Sequence, residues 1–167
     1  MRGRVLVVVD ERVEGEALSA VSVVEEVYGL PLRVERSDLA DHIAASTNRR
    51  RGQVDALQLL KRTESMVPER GFLLILVLSD IFVDGFNFCF GLAYRRSAVV
   101  STFRLRHPDP RMFVERVRKE IAHELGHLLG LRHCPRRECV MYFSNSIEDT
   151  DEKGVAPCDR CRTLILG

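Results

Sequence analysis

The stretch PDPRMFVERVRKEIAHELGHLLGLRHC, residues 108–134, decides how the rest of the chain is read. It predicts a long helix with both ends marked. Asp109 can accept hydrogen bonds from the open N–H groups of a first turn, Pro110 suits the first helical position, and Gly130 is a natural stop. Between them Phe113, Val117, Ile121, Leu125, Leu128 and Leu129 fall at helical spacing and form one apolar stripe. His123 and His127 are four residues apart, so two imidazoles project from one face a turn apart and can share a cation. Glu124 points about 100° round the helix, where it misses such a cation but reaches a water bound to it. This is the H-E-x-x-H arrangement, in which the glutamate is a general base.

Catalytic zinc usually keeps three protein ligands and one open position. A straight helix would carry His133 away from the other two histidines. Glycine enters the left-handed conformation at low cost, so a bend at Gly130 swings His133 back. Each fixed position of H-E-x-x-H-x-x-G-x-x-H thus has a mechanical reason.

Cys134 follows His133 directly. Cys134-x₄-Cys139 and Cys158-x₂-Cys161 are two close pairs separated by 18 residues, as in a structural Cys₄ zinc site. Four thiolates close the coordination sphere, tie an irregular tail into shape and fix where His133 points. The alternatives are two disulfides or thiols packed in a core. Cys89 stands apart as a small strand residue. Met141, eight residues after His133, reads as core on its own, or as a soft apolar floor beneath a metal.

At 167 residues, 46% hydrophobic and 29% charged, the chain suits one soluble domain with a real core. A net charge of +1 gives no call for nucleic acid or an anionic membrane. The apolar run Val5–Val9 stops at Asp10, too short for a signal peptide, and no stretch approaches a membrane span. We therefore expect a cytoplasmic protein whose reducing surroundings disfavour disulfides. The segment GFNFCFG resembles the aromatic patch of RNA-binding sheets only faintly, since Asp84 stands where a basic residue is expected. RRR at 49–51 and RR at 136–137 read as solvated surface.

Upstream, RVLVVV predicts a strand buried on both faces, PLRVER a second strand, and GFLLILVLSD gives the strongest buried-strand signal in the chain. GEALSAVSVVEEVYG predicts a helix closed by Gly29, and RGQVDALQLLKRTESM a second helix ending before Pro68. The alternation implies a partly parallel sheet with helices packed on it, an α/β (α+β) class. FNFCFGLAY and SAVVSTFRL predict a hairpin about Arg95 and Arg96. In the first strand Phe86, Phe88, Phe90, Leu92 and Tyr94 share one face. The opposite face, Asn87, Cys89, Gly91 and Ala93, is small enough for a close backbone approach, or simply packs under a loop. SNSIEDTDEKG predicts a loop. One catalytic domain is expected, with an α/β part at 1–130 and an irregular part at 131–167.

HELGHLLGLRHC, then CVM, then CDRC, together resemble the archaemetzincins, a branch of the metzincin zinc peptidases; NFCFGLAY and VVSTFRL are similar to that family's strands. The resemblance implies a metzincin-type zincin: a twisted mixed sheet, a backing helix, the active-site helix, a Met-turn and a zinc-tied C-terminal subdomain. It implies two zinc ions per chain, a catalytic one on His123, His127 and His133 and a structural one on Cys134, Cys139, Cys158 and Cys161. It also implies peptide-bond hydrolysis by a zinc-bound water, with Glu124 as general base and then acid. An antiparallel edge strand, here FNFCFGLAY, would pair with an extended peptide or protein substrate. Some metzincins place a tyrosine two residues past the methionine; Phe143 stands there, with Tyr142 one short, so that role is not carried over. A monomer binding neither nucleic acid nor membrane is expected. The alternative is a non-catalytic zinc-containing module that binds peptides or proteins.

Overall fold

A computed structural model describes residues 3–166. Its centre is a five-stranded sheet built from β1 (Arg4–Asp10), β2 (Leu32–Ser37), β5 (Gly71–Val77), β7 (Gly91–Tyr94) and β8 (Ser97–Ser101), in the order β2-β1-β5-β8-β7. The first four strands run parallel and β7 closes one edge antiparallel to β8. Between β2 and β5 lies a smaller region: α2 (Ala40–Ala45), β3 (Thr47–Asn48), β4 (Gln53–Asp55) and α3 (Ala56–Arg62). There β3 and β4 join β6 (Ile81–Phe82) in a second sheet.

The apolar strands are explained by cover on both faces. Alternate residues Val5, Val7, Val9, Leu74, Leu76, Ala98 and Val100 enter one core. That face carries α4 (Pro110–Leu128), together with a 3₁₀ segment, Gly15–Ser22, that runs into α1 (Val23–Tyr28). The intervening residues Val8, Leu73, Ile75, Val77 and Val99 meet Leu39, Leu59 and Leu60 on the other face. The tail joins the first core through Leu131, Cys134, Cys139, Val140, Met141 and Cys161. Its two helices are α5 (Ile147–Glu152) and α6 (Asp159–Leu166).

Four segments depart from expectation. The helix ending at Gly29 begins as 3₁₀ rather than α. The expected helix over 51–66 is shorter: Gly52 turns with φ 66°, Gln53–Asp55 is strand, and Asp55 caps α3 by accepting from the Gln58 N–H at 3.1 Å. The alternation in 86–94 does not run through. Phe88, Phe90 and Ala93 pack towards α4, whereas Cys89, Leu92 and Tyr94 pack on the opposite side, so the chain changes parity at Phe90–Gly91. Only 91–94 is ladder; Cys89 makes a lone bridge to Ile81. Finally, the polar stretch after Met141 contains α5 instead of being all loop. Among the described residues no helix is long and apolar enough to cross a membrane.

Candidate metal centre and active site

The helix that carries the histidines is fixed at both ends as its sequence requires. Asp109 accepts from the Arg111 N–H at 2.9 Å with Pro110 in the first turn. At the other end Gly130 has φ 93°. Its N–H bonds to the His127 carbonyl, and the Leu131 N–H reaches back to the Gly126 carbonyl, both at 2.9 Å. This double closure is a Schellman turn, and it needs a left-handed residue at 130. The chain that leaves it brings His133 back to the helix.

Three imidazole Nε2 atoms converge. His127 Nε2 is 3.1 Å from His123 Nε2 and 3.2 Å from His133 Nε2. The opposite nitrogens decide what these atoms are. His123 Nδ1 lies 2.7 Å from the Val140 carbonyl and His127 Nδ1 lies 2.8 Å from the Leu131 carbonyl. A carbonyl only accepts, so each Nδ1 carries the proton and each Nε2 presents a lone pair. Burial, foremost among the causes, lowers the pKa of all three histidines and keeps the rings neutral. Lone pairs facing one another at 3.1 Å repel unless a cation lies between them. A tetrahedral zinc with Zn–N bonds of 2.0–2.1 Å sets its nitrogens about 3.3 Å apart, close to what is found. The residues fit the ion. His123 is buried and His133 exposed, so the centre is reached from the His133 side.

The four cysteines form a second cluster. Cys134 and Cys158 have sulfurs 3.9 Å apart, as do Cys139 and Cys161. All four are free thiols whose sulfurs lie within 4.8 Å of one another. Zn–S bonds of 2.3 Å in a tetrahedron would give about 3.8 Å, so this set also fits zinc. A backbone N–H, that of Cys161, lowers the Cys158 thiol to about 7, which favours the thiolate a metal needs.

The two clusters are mechanically joined. The Cys134 N–H bonds to the Met141 carbonyl at 2.9 Å, and the Val140 N–H to the Ala156 carbonyl at 3.1 Å. So Cys139 belongs to one cluster, the carbonyl of Val140 orients His123 of the other, and Met141 packs beneath the helix. A Cβ at Gly126 would collide with the Met141 sulfur and stand 3.0 Å from the Tyr28 hydroxyl. Met141 is therefore a floor for the histidine-bearing turn, with glycine above it.

Glu124 is buried, and burial raises its carboxyl pKa well above the ordinary value. Glu120 reinforces this and Lys153 opposes it. It shares a 430 Å³ cavity with the three histidines, the strand residues Gly91–Ala93 and the aromatics Phe86, Phe88 and Phe143. A Cβ on Gly91 would stand 2.6 Å from Glu124 Oε1. The absence of a side chain at Gly91 thus leaves room for the Glu124 carboxylate.

Sequence reasoning missed a buried polar network one helical turn before Glu124. Glu120 Oε1 is paired with Lys153 Nζ at 3.1 Å and accepts from Thr150 Oγ1 at 2.9 Å. Arg116 binds Asp151 through two hydrogen bonds of 2.7 and 2.8 Å, and Lys119 Nζ donates to the carbonyls of Thr150 and Asp151. These bonds hold α5 on α4. The available signal was Glu120 itself, an acid three residues before His123 on the buried side of the helix. Arg51 is exposed, as expected, and also donates to the carbonyls of Phe86 and Asn87, lying 3.7 Å from the centre of the Phe82 ring. It holds the cleft rim.

Comparison with known proteins agrees with this architecture. The profile of peptidase family M54 matches residues 9–166. The archaemetzincin of Methanopyrus kandleri is 42% identical over 145 residues, covering 85% of this chain and 81% of that one. The archaemetzincin of Saccharolobus solfataricus is 36% identical over 157 residues, 86% of each. Among solved structures, the M. kandleri archaemetzincin superposes with a TM-score of 0.87 at 37% identity, covering 98% of this chain and 94% of that chain. The Archaeoglobus fulgidus archaemetzincin, complexed with malonate, gives 0.83 at 32% identity, covering 96% and 99%. A match along nearly the whole length, in sequence and in fold, makes this chain a member of peptidase family M54, the archaemetzincins, and a zinc metallopeptidase.

Proposed function

We propose that the chain hydrolyses peptide bonds with two zinc ions in place, a catalytic one held by His123, His127 and His133 and a structural one by Cys134, Cys139, Cys158 and Cys161. The observation that carries this reading is the fixed tautomer of His123 and His127, which leaves converging, unprotonated nitrogens. Zinc bound there supplies Lewis acidity, polarising the scissile carbonyl and lowering the pKa of water to about 7.

Glu124 is the general base. Its buried carboxylate takes a proton from the attacking water and returns it to the departing amide nitrogen. The raised pKa suits both halves of that task, because a carboxylate that holds a proton more firmly is a better base. Strand β7 aligns the substrate. Its one ladder partner is β8, and among the described residues no strand occupies its other edge. An extended peptide adds there by backbone hydrogen bonds and lies across the cavity lined by Gly91, Leu92 and Ala93. Free thiols at the cysteine cluster suit a reducing cytoplasm.

Zinc analysis tests the assignment. Wild-type protein prepared without chelator is expected to carry two zinc ions per chain, and His133→Ala one. Glu124→Gln is expected to keep both and to cleave an unstructured peptide at least about 10²-fold more slowly. Full activity in Glu124→Gln removes the base from the mechanism.

A further inference from the structure

The cavity beside the histidines continues past Glu124 to the next turn of α4, where features accumulate that the reaction does not require. Glu120 lies there, 3% exposed, with Oε1 engaged by Thr150 and Lys153 while no described residue bonds its Oε2. Ser144 lines the same cavity, and its hydroxyl is buried without a hydrogen-bond partner among the described residues. The cavity walls are aromatic: Phe88 and Phe90 pack edge to face at 5.3 Å, and Phe143 packs on Phe86 at 6.2 Å. A buried hydroxyl without a partner costs stability unless a ligand satisfies it.

We propose that this part of the cavity selects a tyrosine side chain of the substrate, the ring lying among the phenylalanines and the phenol donating to Glu120 and accepting from Ser144. The inference rests on the peptidase reading above. Glu120 is one helical turn from Glu124, about 6 Å along the axis, within reach of a side chain that flanks the bond being cut. Charge discriminates among the rivals. Lys153 already neutralises Glu120, so a lysine or arginine gains little attraction for the hydration it loses. An acidic side chain meets two carboxylates, Glu120 and Glu124. A phenylalanine fills the walls but leaves both oxygens as they were. Only an apolar body with a neutral donor at its end satisfies walls and oxygens together.

The test uses blocked, alanine-rich peptides that carry a single Tyr, Phe, Lys or Glu. Their binding to zinc-loaded Glu124→Gln protein, which holds substrate without fast turnover, is measured by calorimetry, and their cleavage by wild type is then followed. The Tyr peptide is expected to bind about tenfold more tightly than Phe, the yield of one or two net hydrogen bonds, with Lys and Glu weaker than Phe. Ser144→Ala, which deletes a hydroxyl that bonds nothing in the chain, is expected to reduce the Tyr:Phe ratio to about threefold or less while the fold is kept. Equal affinity for Tyr and Phe, tighter binding of Lys, no binding by any peptide, or a ratio that Ser144→Ala leaves unchanged overturns the proposal. A preference in binding without cleavage of any peptide leaves the pocket standing and removes the catalytic roles instead.

Discussion

Adding one methyl group to β7 should disable the proposed base, Glu124, without touching a proposed metal ligand. In Gly91→Ala the new Cβ would stand 2.6 Å from Glu124 Oε1, 2.8 Å from its Cγ and 2.9 Å from the Val99 carbonyl oxygen. Ordinary contact begins at 3.4 Å, so the carboxylate oxygen must retreat by about 0.8 Å (3.4 − 2.6) and Cγ by about 0.6 Å (3.4 − 2.8). The Val99 carbonyl belongs to the neighbouring strand, paired in register with β7, and yields little. Backbone strain plays no part, because Gly91 is not among the glycines with positive φ. A displacement near 1 Å at a catalytic group costs about 10² in rate, and overpacking of this kind destabilises by about 1–3 kcal/mol. The assay is kcat/KM on an unstructured peptide, with zinc content and Tm on the same sample. Gly15→Ala is the control, since nothing lies within 4 Å of its Cβ. Gly91→Ala protein with both metals bound and kcat/KM within about threefold of wild type would refute the argument, for the carboxylate would then tolerate the shift.

Three further outcomes are expected. Lys153→Met strands the Glu120 carboxylate in a buried site and should cost about 3–5 kcal/mol in urea unfolding, most of it recovered in Glu120→Gln/Lys153→Met; a mild single variant contradicts the buried pair. The Arg116 guanidinium holds the Asp151 carboxyl below the usual carboxylate range. A depressed folded pKa gives stability that is complete above the unfolded value of about 4 and lost as pH falls through the folded one, so Asp151→Asn should flatten the acid limb of a Tm-against-pH curve; an unchanged limb speaks against the pair. Cys139→Ala should lose the structural metal and, by freeing the Val140 carbonyl, weaken zinc at the histidines about 10–100-fold in competition with a chelator; unchanged affinity would separate the two sites.

What was legible in the sequence was whatever local chemistry decides. Asp109, Pro110 and Gly130 bound a helix by backbone rules that act within a few residues, and the spacing of His123, His127 and His133 is a property of that helix and its stop. The apolar run at 71–77 is the strongest buried-strand signal, and it is a strand. Where the reading failed, distant partners decided. Helical periodicity in ALQLLKR was extended backwards over Gln53–Asp55, which pair with β3 and β6 instead. The alternation from Phe86 to Tyr94 was carried through Gly91, where the chain changes faces because Phe90 enters the core beneath α4. Helix α5 is short and almost wholly polar. It forms because Arg116, Lys119 and Glu120 hold it, and no periodicity within 147–152 announces that. The closeness of Gly91 to Glu124 likewise exists only in three dimensions.

The carbonyl that orients His123 sits between Cys139 and Met141, inside a segment shaped by cysteines at 158 and 161. This arrangement imposes an order in time. As the chain leaves the ribosome, all three histidines emerge well before the last thiols that anchor Val140. A nascent protein therefore possesses its three imidazoles while the anchor for one of them is still missing. On the proposed mechanism, hydrolysis waits for the second cluster to close, which delays cutting until the scaffold is finished.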